Sequence, residues 1–107
     1  MYLVKIGEFK CMMKNRRNKI YLIDVRDNSE YLVKCIKGAV NIPADRIYEI
    51  EDGNHTLLLK MNNIRSYGFD IILYCKSGIR SMRCVKILRE NGVECLSLHG
   101  GTDKYGI

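Results

Sequence analysis

Asp70-Ile71-Ile72-Leu73-Tyr74 leads into Cys75-Lys76-Ser77-Gly78-Ile79-Arg80-Ser81, and from there a periodic run reaches Gly92. The first five residues are apolar after the aspartate and rich in β-branched and aromatic types, which predicts a buried strand. Beyond the loop, Ile79, Met82, Val85 and Leu88 recur at helical spacing while Arg83, Lys86 and Arg89 point elsewhere. Gly92 stands where a left-handed cap ends a helix. Strand, tight loop and helix in this order put Cys75 at the carboxyl end of the strand. The unpaired N–H groups of the helix start lie behind it. A thiol so placed favours its anionic form, and the loop suits an anion.

The same alternation extends in both directions. Leu3 to Ile6 predicts a short strand, and Glu8 to Lys14 a short helix that buries Phe9, Met12 and Met13. Ile20 to Val25 is a second buried strand. Asp27 then caps a brief helix to about Val33, with Glu30 completing a capping box. Gly38 to Pro43 is a third strand, stopped by the only proline. Ala44 to Ile50 forms a helical turn or two, Glu51 to Asn54 a loop, and Leu57, Leu58, Met61 and Ile64 mark a further helix. Glu94 to Leu98 is the last strand, and His99-Gly100-Gly101 turns away from it. Strands alternating with helices imply an α/β fold, a parallel sheet covered on both faces. Ligands of such sheets bind outside the carboxyl ends of the strands, so Asp24, Cys75 and His99 should share one rim.

Length and composition bound the function. A chain of 107 residues, 47% hydrophobic, suits one domain over 1–107 with a single core. No apolar run approaches membrane-spanning length. Met1-Tyr2-Leu3-Val4-Lys5 is too short and too soon charged for a signal peptide, so the expected compartment is the cytoplasm. The five cysteines, Cys11, Cys35, Cys75, Cys84 and Cys95, are odd in number and form no C-x-x-C pair. Neither a disulfide framework nor a zinc site is expected. Net charge is +6, but the basic residues are spread out except for Lys14-Asn15-Arg16-Arg17-Asn18-Lys19. No nucleic-acid motif accompanies that run, which reads as a solvated helix end and loop. Neither nucleic acid nor membrane is an expected partner.

Four blocks in register resemble the single-domain rhodaneses, thiosulfate:acceptor sulfurtransferases. They are Leu22-Ile23-Asp24-Val25-Arg26-Asp27…Glu30-Tyr31, Ile36-Lys37-Gly38-Ala39-Val40-Asn41-Ile42-Pro43, the Cys75–Ser81 loop, and Gly100-Gly101…Tyr105. Tyr105 stands where that family usually has tryptophan, and Lys34-Cys35 where it has Gly-His. The resemblance implies a three-layer α/β/α fold whose five-stranded parallel sheet has the order 1-5-4-2-3. It also implies a ping-pong reaction with no cofactor. Cysteine takes a sulfane sulfur from a donor such as thiosulfate, becomes a persulfide, and passes the sulfur to a thiol, cyanide or thioredoxin-like acceptor.

On both grounds Cys75 is the expected nucleophile. Lys76, Ser77, Gly78, Ile79 and Arg80 form the loop around it: Lys76 and Arg80 supply charge, Gly78 conformational freedom, and Ser77 a hydroxyl. Asp24 and Arg26 are expected to support the rim by hydrogen bonds and an Arg26–Glu30 pair rather than to catalyse. His99 lines the rim without acting as a base. Cys35 reads as packed and inert, Cys84 and Cys95 as core, Cys11 as half-buried. The rival classes are a phosphatase or arsenate reductase and a persulfide-carrier or binding module. A tyrosine-phosphatase-type C-x5-R loop would need arginine at 81; that residue is Ser81, and Arg80 closes a C-x4-R loop.

Overall fold

The computed structural model describes residues 2–107. Its strands are β1 (Leu3–Val4), β2 (Ile20–Asp24), β3 (Val40–Asn41), β4 (Asp70–Tyr74) and β5 (Leu96–Leu98). The helices are α1 (Ile6–Lys14), α2 (Asn28–Val33), α3 (Ala44–Tyr48), α4 (Thr56–Ser66), α5 (Ile79–Glu90) and α6 (Gly101–Tyr105), with a 3-10 turn over Glu49–Asp52. The sheet is parallel throughout, in the order β1-β5-β4-β2-β3. β4 lies at its centre, so the loop carrying Cys75 leaves from the most enclosed strand.

The period of two along β4 decides what each residue meets. Ile71, Leu73 and Cys75 face one layer with Ile47, Met61, Val85 and Leu88, contributed by α3, α4 and α5. Ile72 and Tyr74 face the other, with Phe9 of α1, Ile36 and Leu98, and Tyr105 of α6 packs there. A fully buried Leu or Ile contributes about 1.5–3 kcal/mol relative to exposure. Leu73, Ile72 and Ile23, all fully buried, thus anchor the two faces. The buried Tyr74 hydroxyl is used as well: it accepts the Ile36 N–H at 3.0 Å.

Several boundaries differ from the sequence reading, for local reasons. Ile6 opens α1 instead of closing β1. Met13 is 40% exposed, so α1 buries Phe9 rather than both methionines. β3 is an edge strand of two residues, although Ile42 N–H still bonds Asp24 O and Ala44 N–H bonds Val25 O. Cys11 is exposed, not half-buried. Ile79, expected on the apolar face of α5, is 78% exposed because the helix begins at the loop tip; packing starts a turn later. α6, five residues long, shows no periodicity in the sequence. Among the described residues no helix is long and apolar enough to cross a membrane.

Candidate active site

Cys75 follows the last residue of β4 and is fully buried. Its Sγ accepts the Gly78 N–H at 3.1 Å and the Ser81 N–H at 3.4 Å, and lies 3.5 Å from the Ser81 hydroxyl. These donors belong to the loop and the first turn of α5, whose free N–H groups converge on the sulfur. The ring can hold negative charge on sulfur without a metal or a neighbouring base. The hydroxyl comes from Ser81; Ser77 is exposed, and its side chain makes no hydrogen bond among the described residues.

The loop is closed by backbone geometry. Gly78 has φ +100°, and a Cβ there would lie 3.3 Å from Gly100 N. From the far side, α6 grips the loop's carbonyls: Thr102 N–H donates to Cys75 O at 2.9 Å and Asp103 N–H to Lys76 O at 3.0 Å. Gly101 lets α6 approach that closely, since a Cβ there would sit 2.1 Å from Cys75 O. From the sequence, Gly100-Gly101 reads as a turn after the last strand and as part of the closing block of the family resemblance, without this grip on the loop. The adjacent glycines were the available signal of close approach.

Charges at the rim pair differently from expectation. Arg26 does not bond Glu30. Its Nη2 lies 2.8 Å from Asp24 Oδ2, its Nε bonds both carboxylate oxygens, and its backbone N–H donates to Oδ1 at 2.9 Å. Nη2 also reaches Lys34 O, tying the end of β2 to the segment after α2. The two residues share a turn, and Asp24 is fully buried, so the nearest cation satisfies it. The supporting role expected for this pair therefore rests on a different partner.

Glu30 is left to Arg80, whose Nη1 lies 3.1 Å from Oε1. The same Oε1 accepts Asp27 N–H at 3.2 Å, so one carboxylate caps α2 and anchors the loop arginine. The hydrogen bond from Arg80 holds the Glu30 carboxyl below its ordinary range, and the pairing raises Arg80 further. Lys76 is exposed at the loop's outer edge. Asp24, Cys75 and His99 do share the carboxyl edge of the sheet, with His99 Nδ1 3.4 Å from Lys104 Nζ.

The other cysteines are distinguished by burial. It pushes the thiols of Cys84 and Cys95 up to about 12, so both stay protonated as core residues. Cys35 is half-buried. Of the five, Cys75 alone has backbone N–H groups directed at its sulfur. Among the described residues no cluster of His, Cys, Asp and Glu could hold a metal ion.

Comparison with known proteins sets this geometry in context. A sequence model described as the rhodanese-like domain matches residues 6–106. A tRNA uridine(34) hydroxylase of Cytophaga hutchinsonii is 32% identical over 102 residues, covering 94% of this chain and 30% of that protein. The chain thus spans less than a third of that relative. YtwF of Bacillus subtilis, which carries a provisional sulfurtransferase name, is 35% identical over 83 residues, 78% of this chain and 70% of its own. A crystal structure from Staphylococcus saprophyticus superposes with a TM-score of 0.75 at 29% identity, covering 99% of this chain and 94% of that one.

Proposed function

Since this chain belongs to the rhodanese-like domain family, a family of sulfurtransferase type, we propose that it moves a sulfane sulfur through a persulfide on Cys75. One observation carries the reading: a buried cysteine sulfur ringed by the Gly78 N–H, the Ser81 N–H and the Ser81 hydroxyl. In the first half-reaction the Cys75 thiolate attacks the outer sulfur of thiosulfate. The new S–S bond leaves Cys75–S–S⁻, and the S–S bond of thiosulfate breaks to release sulfite. In the second, a thiolate or cyanide attacks the terminal sulfur, takes it, and returns Cys75 as thiolate. Charge balances in both steps, and no external oxidant or reductant enters.

The loop's size supports this chemistry over phosphoryl transfer. Its N–H groups point at one centre, and a six-residue loop leaves a small centre. Wild-type protein is expected to form thiocyanate from thiosulfate and cyanide, and to leave an aryl phosphate and arsenate untouched. Phosphate-ester turnover without thiocyanate would transfer the case to the phosphatase class. One residue inserted before Arg80 should relax the rejection of phosphate.

A protein acceptor is favoured by a separate observation. Ile79 is 78% exposed at the loop tip, and Leu3, 41% exposed, lines the same cleft with Met82 and Gly78. Apolar side chains bordering a reactive loop suit a partner surface, such as a thioredoxin-like thiol, better than cyanide.

Arg80→Ala separates activity from stability. The pair with Glu30 is about one-third exposed on each side, so its loss should cost less than about 1 kcal/mol of stability. Freed from its anchor and lacking a cation, the loop should lose one charge-assisted contact to an anionic donor, about 1.5–3 kcal/mol. The expected result is a fall of about one to two decades in kcat/KM for thiosulfate, with little change in Tm. Equal kcat/KM in variant and wild type would remove Arg80 from the site.

A further inference from the structure

Beneath the catalytic loop lies a buried hydroxyl pair. Ser97 of β5 and Ser81 of α5 are both fully buried, with their Oγ atoms 2.7 Å apart. Ser81 Oγ also lies 3.2 Å from Gly78 O and 3.5 Å from Cys75 Sγ. Ser97 Oγ has no other hydrogen-bond partner among the described residues.

Counting protons fixes the direction of these bonds. If Ser81 donated to Ser97, the Ser97 proton would be buried without an acceptor, which costs about 1–3 kcal/mol. Ser97 therefore donates to Ser81, occupying one lone pair of its oxygen. The single Ser81 proton is left to choose between Gly78 O and the sulfur. With Cys75 as thiol, S–H donates to Ser81 Oγ, and the Ser81 proton goes to Gly78 O. With Cys75 as thiolate, the hydroxyl turns and donates to sulfur. Gly78 O does not suffer, because it already accepts the Met82 N–H at 3.0 Å. A donor behind a donor also strengthens the forward bond.

We propose that Ser97 is a positioning residue, whose donated hydrogen bond keeps the Ser81 hydroxyl free to follow negative charge onto and off the Cys75 sulfur. The proposal rests on the sulfur-transfer reading for its use. The sulfur is anionic before it attacks the donor and again when the acceptor releases it. In the persulfide the charge moves to the outer sulfur, and the hydroxyl returns to Gly78 O.

The test is the rate at which iodoacetamide alkylates Cys75, followed in the Cys75 peptide by mass spectrometry across a pH series. Ser81→Ala, which removes the hydrogen bond to sulfur, should alkylate about three- to tenfold more slowly near neutrality and converge on wild type in alkali. Ser97→Ala, which removes only the bond behind it, should shift the same way by up to about twofold, and the double variant should be no slower than Ser81→Ala alone. Ser97→Thr, which keeps the hydroxyl in a residue suited to a strand, should restore the wild-type profile. The charged and titratable groups around the sulfur are unchanged in every variant: Lys76 and Arg80 of the loop, Glu30 behind Arg80, Cys84 on α5, Asp24 at the end of β2 and Arg26 just beyond it, and His99 and Asp103 flanking the start of α6. A wild-type profile for Ser97→Ala, or additive losses in the double variant, would overturn the proposal. Should Ser97→Ala not fold, Ser97→Val, which has no donor and suits a strand, decides in its place, and a wild-type profile there overturns it equally. Alkylation needs no sulfur donor. Wild-type protein that takes no sulfur from thiosulfate would defeat the functional reading while leaving this result standing.

Discussion

Cys75→Ser is expected to abolish sulfur uptake from thiosulfate and to leave the fold standing. Serine cannot form a persulfide, and a hydroxyl is no substitute for a thiolate toward a sulfur electrophile. The loss should exceed about three decades in kcat/KM, since removal of a covalent nucleophile removes the route itself. Folding should change by less than about 1 kcal/mol. The buried oxygen inherits N–H donors from Gly78 and Ser81, and so is not left unsatisfied. Thiocyanate assays and thermal melts measure the two quantities. Cys35→Ser should keep most activity. If it were as dead as Cys75→Ser, the mechanism would need a second cysteine.

Gly101→Ala should be among the most damaging single-methyl changes in the chain. The added Cβ would lie 2.1 Å from Cys75 O and 2.6 Å from Lys76 O, both backbone atoms that cannot turn aside. Those are the carbonyls that accept the Thr102 and Asp103 N–H groups. Relief therefore means pulling α6 off the loop and breaking both bonds. Gly101 also has φ +57°, which costs an L side chain about 1–2 kcal/mol more. Together the expected loss is about 3–5 kcal/mol, or a fall in Tm of about 15 °C or more. Gly92→Ala is the control. Its φ is +85°, but nothing lies within 4 Å of the added carbon, so only the backbone cost of about 1–2 kcal/mol remains. Similar melting temperatures for the two variants would show that the contact between α6 and the loop matters little.

What the sequence made legible was mostly local. The β4–loop–α5 unit could be read because a strand pattern, a cysteine, a glycine and a helical pattern follow one another without a gap. The capping box at Asp27 and Glu30 was legible for the same reason. The strand order β1-β5-β4-β2-β3 followed from the family resemblance, but side-chain contacts between distant segments were not legible. Nothing in the local pattern tells Glu30 to choose Arg80, fifty positions on, over Arg26, or turns Arg26 back onto Asp24. Ser97 sat unnoticed in a short apolar strand, because only the parallel register of β4 and β5 brings it beneath the loop. Periodicity also overstated the apolar face of α5. Spacing placed Ile79 with Met82 and Val85, but the helix start projects beyond the core.

If Cys75 carries the sulfur in transit, the protein's mass records it. Wild-type protein incubated with thiosulfate and cleared of small molecules should gain the mass of one sulfur atom in intact-mass spectrometry. Peptide mapping should place it on the peptide containing Cys75, and cyanide or a dithiol should remove it. No added mass on that peptide, or the same adduct in Cys75→Ser, would contradict the account.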